Sequence, residues 1–294
     1  MTDWTAADLP AFTGRTVIVT GANSGLGLIT ARELACVGAH VVLAVRNIAK
    51  GEDAAAGISG SVEVRKLDLG DLASVREFAE DAPEAEVLVN NAGIMGVPYV
   101  LTSDGFESQI GTNHLGHFAL TNLLLGKITD RVVTVSSIFH RMGNMDLNDL
   151  NWQHRRYNAW LAYAQSKLAN LLFTSQLQQR LDQAGSPVRS LAAHPGYSAT
   201  NLQSHSAGRF SVAFMAIGHR LVATDADFGA RQSLFAVSQD LPGNTFAGPR
   251  FGFYGRTQPV GRSNAARQIA TATALWERSE QLTGTKFPLP GAVG

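Results

Sequence analysis

A strand-like run, Thr16-Val-Ile-Val-Thr20, passes without a break into Gly21-Ala-Asn-Ser-Gly25-Leu-Gly27 and then into a helical pattern carried by Leu28, Ala31, Leu34 and Ala35. This order constrains the chain more than any other stretch, because it fixes a strand, a glycine turn and a helix in immediate succession. The glycines have mechanical roles. Gly21 makes the tight exit from the strand, Gly25 leaves room for a pyrophosphate near the backbone, and Gly27 lets helix and strand pack closely. The helix N-terminus then faces the phosphates. The spacing is G-x-x-x-G-x-G rather than the G-x-G-x-x-G of the dinucleotide fingerprint, and no Lys-Ser/Thr pair closes it as a P-loop requires. In isolation, a plain glycine turn would read the same way.

A second strand-like run, Val41-Val-Leu-Ala-Val45, falls about 20 residues beyond the last glycine, where an acidic side chain would grip a ribose with a free 2′-hydroxyl. No acid is present. Val45-Arg46-Asn47 places a guanidinium there instead, able to fork onto a 2′-phosphate, with Ser24 as a second donor. The expected cofactor is NADP (NADPH) in preference to NAD, against the bland reading of Arg46 as a solvated surface charge.

Tyr163 and Lys167 lie four residues apart in Tyr163-Ala-Gln-Ser-Lys167, a spacing that stacks phenol and ammonium on one face of a helix. A cation held there favours the phenolate and is expected to draw the tyrosine from its ordinary ~10 toward neutrality, where it trades a proton with a substrate oxygen. Alone, the pair would also suit an amphipathic helix with a solvated lysine.

Together these residues resemble the short-chain dehydrogenase/reductase superfamily, over nearly the whole chain. The family's Thr-Gly-x-x-x-Gly-x-Gly matches Thr20 to Gly27, which makes Gly21, Asn23, Ser24, Gly25, Leu26 and Gly27 the cofactor turn. The acidic residue beside the adenine matches Asp68, followed by Leu69, and Asn-Asn-Ala-Gly matches Asn90 to Gly93, giving Asn91, Ala92 and Gly93 as cofactor contacts. The catalytic tetrad matches Asn113, Ser137, Tyr163 and Lys167, and Pro195-Gly196 with Thr200 matches the segment that meets the nicotinamide. The phrases Leu43–Asn47, Asn113–Phe118, Ser166–Asn170 and His194–Gly196 look most like the retinol dehydrogenase and protochlorophyllide reductase branch.

The resemblance implies an α/β fold, a doubly wound parallel sheet of about seven strands in the order 3-2-1-4-5-6-7, as one domain over residues 1–294. It implies NADP-dependent hydride transfer to or from a small apolar carbonyl or alcohol. In that scheme Ser137 hydrogen-bonds the substrate oxygen, and Tyr163 delivers or removes its proton. Lys167 biases Tyr163 and binds the nicotinamide ribose, while Asn113 holds a water that links Lys167 to solvent. Other readings of the same residues are a non-catalytic NADP-binding regulator or scaffold, and epimerase or dehydratase chemistry. The full tetrad weighs against the first, and the glycine spacing and chain length against the second.

The chain between Ser137 and Tyr163 is about twice as long as in shorter family members. The insert, 138–160, carries Met142, Met145, Leu147, Leu150, Trp152, Tyr157 and Trp160, and is expected to form a partly buried substructure near the site mouth. Because such an insert can obstruct a helix-pair dimer, both homo-oligomer and monomer stay open. A lid is expected around 200–225, from the apolar recurrence Phe210 to Val222, with a core helix as the alternative. Phe228 to Val237 reads as a further helix and Thr245 to Gly255 as the last strand with its loops.

Composition excludes other classes. Twenty-four basic residues balance 24 acidic ones, without a basic stripe interleaved with aromatics, so no nucleic-acid partner is expected. The polar start and short apolar runs lead to the expectation of a cytoplasmic protein without a membrane anchor. The single cysteine, Cys36, forms no intrachain disulfide and sits in the first helix's apolar pattern, where a buried spacer is expected. No metal site is expected: His114 and His117 share a helix face without a third ligand, and packing is the better role for them and for His194.

Overall fold

The valine- and isoleucine-rich runs become the central strands of one sheet in the computed structural model, which describes residues 3–196 and 226–289. The strands are β1 (Thr16–Thr20), β2 (His40–Val45), β3 (Ser61–Lys66), β4 (Ala85–Asn90), β5 (Ile128–Val135), β6 (Arg189–Ala193), β7 (Phe246–Pro249) and β8 (Thr257–Pro259). Their order is β3-β2-β1-β4-β5-β6-β7-β8. All neighbours pair in parallel except β7 and β8. The expected seven-strand order is present; the antiparallel β8, three residues long, is an addition too short for its alternation to register in the sequence.

The described helices are α1 (Gly25–Cys36), α2 (Ile48–Ala56), α3 (Leu72–Asp81), the single turn α4 (Ser108–Ile110), α5 (Gly116–Leu124), α6 (Ala159–Gln183), α7 (Ala226–Ser238) and α8 (Ile269–Thr283). They cover both faces, which is why the inner strands are apolar on both sides rather than alternating. Ile18, Val42, Leu88 and Val132 face Phe118, Leu168, Leu172, Phe173 and Trp276 of α5, α6 and α8. Val17, Val19, Val41, Leu43, Val87 and Val133 face Ala31 and Leu34 of α1 and Ala230, Leu234 and Val237 of α7. With about 25 cal/mol gained per Å² of apolar surface removed from water, these two layers are the main source of stability.

The strand order reverses between β1 and β4, so their carboxyl ends flank the crevice where an open α/β sheet receives a ligand. α6 crosses beside it. Asn158 starts that helix by accepting from the Trp160 and Leu161 amides at 3.0 and 3.1 Å. Between α4 and α5 the chain makes one π turn, Gly111–Leu115, which contains Asn113.

A 3₁₀ turn at Ile138–Met142 leads into an irregular stretch whose Leu150 and Trp152 are buried. The Tyr157 hydroxyl meets the Val97 carbonyl oxygen and Glu107 Oε1, each at 3.0 Å, and so ties the insert to the chain before Asn113. One expectation fails: Cys36 is exposed rather than a buried spacer. It is the last residue of α1, beyond the buried pair Leu34 and Ala35, and points off the stripe that faces the sheet. Thr200 and the apolar stretch 208–222 lie outside the described residues.

Candidate active site

The glycine turn has the geometry its spacing implies. Gly21 and Gly25 adopt φ of 66° and 55°, backbone that side chains rarely tolerate. A Cβ on Gly27 would strike Asn91 Nδ2 and come within 2.6 Å of the Gly21 carbonyl oxygen, so only glycine lets α1 start this close to β1 and β4. Ser24 occupies the N-cap in an extended conformation without a side-chain cap bond, which leaves its hydroxyl and the first-turn amides to meet an anion. Arg46 is exposed at the end of β2 and forms no ion pair among the described residues, while its neighbour Asn47 caps α2 by accepting from the Lys50 amide at 3.0 Å. The Asp68 carboxylate accepts from the Gly70 amide at 2.9 Å, and Leu69 is buried against α5, where a Cβ on Gly116 would strike the Leu69 carbonyl.

The loop after β4 joins this turn to the other half of the site. Thr20 Oγ1 accepts from the amides of Asn91 and Ala92, each at 2.9 Å, and Asn91 Nδ2 donates to the Thr20 carbonyl oxygen at 2.8 Å. A Cβ on Gly93 would lie 3.1 Å from Asn113 Oδ1 and 3.5 Å from Lys167 Nζ, so this glycine is where the loop reaches the tetrad. Further along, Gly196 has φ of 72°, and a Cβ there would press on the Phe253 carbonyl at 2.6 Å.

Tyr163 is buried on α6, with its ring edge-on to Phe139 at 6.0 Å, and Phe139 stacks on Trp160 at 5.8 Å. Burial pushes the phenol up to about 12, against the pull of the Ser137 hydroxyl beside it. Lys167 is also buried; its Nζ stands 5.7 Å from the centre of the Tyr163 ring and donates to the Val135 carbonyl oxygen at 3.0 Å. Burial lowers this ammonium to about 8. The expected fall of the tyrosine toward neutrality is therefore absent from this arrangement. Both groups are desolvated, which disfavours both charged forms, and the ammonium is turned to a carbonyl instead of the phenol oxygen.

Asn113 does something the sequence did not suggest. Its Nδ2 donates to the Ile94 carbonyl oxygen and to Ser166 Oγ, both at 2.9 Å, and its Oδ1 accepts from the Ile94 amide at 2.8 Å. Both amide protons are committed, so the side chain pins the loop after Gly93 to α6. The structure thus brings Asn113, Ser137, Tyr163 and Lys167 around one locus, with Gly93 beside it. Thr20 and Ser166 both fall inside phrases that carry the resemblance, but the hydrogen bonds they make here, to the loop after β4 and to Asn113, were not anticipated from the sequence. His194, as expected, packs: its Nδ1 faces the Gly196 amide at 3.3 Å, and burial lowers the ring to about 3.

This is the fold and the residue geometry of a nicotinamide-dependent α/β oxidoreductase. Residues 15–208 match the family model described as short chain dehydrogenase. Human Retinol dehydrogenase 13 is 41% identical over 292 residues, covering 94% of this chain and 86% of that protein. A solved structure from Mycobacterium paratuberculosis is 64% identical, with a TM-score of 0.88, over 98% of this chain and 100% of that one. Another solved structure, of a protein from Beutenbergia cavernae proposed to be an NAD(P) dependent gluconate 5-dehydrogenase and holding bound NADP, is 26% identical with a TM-score of 0.59, over 78% of this chain and 91% of that chain. The chain belongs to the short-chain dehydrogenase family, in the branch of the retinol dehydrogenases.

Proposed function

We propose that the protein is an NADP(H)-dependent oxidoreductase that moves a hydride between the nicotinamide and a carbonyl or alcohol carbon of an apolar substrate. The observation that carries this reading is the convergence of Tyr163, Ser137 and Lys167 beside Gly93, at the carboxyl edge of the strands where the glycine turn also opens. The turn suits a dinucleotide: the positive φ of Gly21 and Gly25 and the tight packing at Gly27 bring the start of α1, with its uncapped Ser24 hydroxyl, to the carboxyl ends of β1 and β4.

Gly21, Asn23, Ser24, Gly25, Leu26 and Gly27 would hold the pyrophosphate, Arg46 with Ser24 the 2′-phosphate, and Asp68 with Leu69 the adenine. Asn91, Ala92 and Gly93 would line the path to the nicotinamide, Tyr163 and Lys167 would bind its ribose, and Pro195, Gly196 and Thr200 its carboxamide. When bound, the nicotinamide supplies or accepts the hydride. In the reductive direction, charge grows on the substrate oxygen. The Ser137 and Tyr163 hydroxyls are then donors aimed at it before the reaction begins, which favours the transition state over the ground state. A phenol raised to about 12 is protonated at neutral pH, the form that donates.

The retinol dehydrogenase relative and the apolar surround of the site, Phe139 and Trp160 with Met142 and Leu161 exposed nearby in sequence, support a greasy substrate. The test is turnover of a panel of aldehydes, ketones and alcohols, retinal among them, followed by nicotinamide absorbance. Tight NADPH binding without turnover of any member would favour a regulatory or scaffold role.

A further inference from the structure

His117 of α5 is wholly buried, and beyond the packing expected of it from the sequence it has no part in the site described above. Its two ring nitrogens have different partners. Nδ1 lies 3.1 Å from the main-chain carbonyl oxygen of Asn113, in the π turn. Nε2 lies 2.9 Å from Thr20 Oγ1, at the end of β1.

The chemistry of these partners fixes the protons. A carbonyl oxygen only accepts, so Nδ1 carries the hydrogen. Burial, with Lys167 and His114 nearby adding repulsion and the Asn113 carbonyl opposing, lowers the ring to about 3, so it is neutral and Nε2 is bare. Nε2 then accepts from the Thr20 hydroxyl at 2.9 Å, in preference to the Val89 carbonyl oxygen, which stands farther from that hydroxyl at 3.4 Å. Both lone pairs of that hydroxyl are taken by the Asn91 and Ala92 amides at 2.9 Å. Every donor and acceptor in the chain from Asn113 to Ala92 is used, without an orphan buried group.

The ends of this chain matter. One is the main chain of a tetrad residue, at a π turn where the regular helical bond to that carbonyl is out of register. The other is the loop that leads to Gly93, Asn113 Oδ1 and Lys167. We propose that His117 is a positioning residue that fixes the Asn113 carbonyl relative to the Asn91–Gly93 loop, so that the cofactor side and the proton-transfer side of the site keep one mutual placement. A core residue chosen only for packing would not need two nitrogens with opposite roles.

The inference rests on the oxidoreductase reading only for its kinetic arm. The first arm labels the histidines of the full-length protein with ¹⁵N and records the tautomer of each ring at neutral pH, with His117 assigned by the signal lost in His117→Asn. An Nδ1–H ring is expected, the minor tautomer of free imidazole; an Nε2–H ring overturns the proposal. The second arm compares His117→Phe with His117→Asn.

An asparagine amide four residues after a carbonyl can replace the Nδ1 donor, because Asn122 Nδ2 already donates to the Phe118 carbonyl oxygen in this way, at 2.8 Å. His117→Phe is expected to lower kcat by about tenfold or more, and His117→Asn to recover it to within about threefold of the parent. Both variants lose the Thr20 bond, so both are expected to weaken NADPH binding by about threefold or more. Equal kcat for the two variants, or unchanged NADPH affinity in both, would reduce His117 to a filler. If the parent protein turns over no substrate, the oxidoreductase reading falls, and the tautomer and NADPH affinities still decide the positioning role.

Discussion

Lys167 Nζ and the Tyr163 ring lie 5.7 Å apart on one face of α6, yet the ammonium gives its hydrogen bond to the Val135 carbonyl, 3.0 Å away. Asn170 Nδ2 donates to the same carbonyl at 3.0 Å. The helix therefore presents the pair, while the end of β5 holds the lysine. Burial moves the two groups in opposite directions, the phenol up to about 12 and the ammonium down to about 8. Each is biased toward its neutral form, so introducing the substrate oxygen and the cofactor ribose beside them changes the balance more than it would at a solvated surface.

Tyr163→Phe removes one oxygen and keeps the ring against Phe139. Folding is expected to survive, with NADPH affinity within a few-fold of the parent. Loss of the proton donor is expected to lower kcat by about 10²–10⁴-fold. Steady-state kinetics with the best substrate of the panel, alongside thermal unfolding, checks both halves; parental kcat in this variant would remove Tyr163 from the chemistry.

Lys167→Met separates stability from activity. The native ammonium is held near about 8 against an ordinary 10.5, so between those values the unfolded chain binds more protons and stability rises with pH. Below about 8 the folded protein carries a buried charge at a cost, which methionine does not. The variant is expected to melt at a higher temperature than the parent at pH 7, with the advantage shrinking as pH rises through that window, and to be inactive. A lower melting temperature at pH 7 would mean that the Val135 hydrogen bond outweighs the desolvation cost.

Arg46→Asp tests which dinucleotide the crevice prefers. Arg46 is exposed and forms no ion pair among the described residues, which suits a partner supplied from outside the chain. Replacing a forked cation by an anion removes the 2′-phosphate contact and creates an acceptor for a free 2′-hydroxyl. NADPH affinity is expected to fall by about tenfold or more, with NADH gaining. Titration calorimetry on both nucleotides decides it: an unchanged NADPH affinity makes Arg46 a bystander.

Most of the fold was legible because a sheet buried on both faces writes itself as uninterrupted apolar runs such as Val41–Val45 and Val87–Val89. Motif spacing placed Tyr163, Lys167 and the glycine turn for the same reason, since their geometry is local. Contacts between elements remote in sequence left no such trace. The link from Thr20 to His117 spans 97 positions and that from Asn113 to Ser166 spans 53, and neither residue pair has a periodicity of its own. Cys36 was misplaced because apolar recurrence does not mark the residue where a helix leaves the sheet. The direction of the Tyr163 shift escaped because residue identity predicts a neighbouring charge but not how completely both groups are buried.

At the opposite end of the sheet, Asp130 of β5 gathers three guanidinium groups: Arg15 at 2.6 Å, Arg189 at 2.9 Å and Arg131 at 3.1 Å. Burial acts to raise the carboxyl, but hydrogen bonds from Arg189, Arg131 and Arg15 prevail and hold it below its ordinary 3.8. A depressed carboxyl contributes stability that is fully present above the unfolded value and is lost as pH falls through the folded one. Asp130→Asn leaves the largely buried Arg131 without its counter-ion, so it is expected to cost about 2–4 kcal/mol at neutral pH, with the gap to the parent closing only as pH falls below the ordinary 3.8 of the carboxyl. Urea unfolding at a series of pH values measures it. A gap that stays constant across the acid range would show that the cluster stabilises through packing of the arginine stems and not through the charge of Asp130.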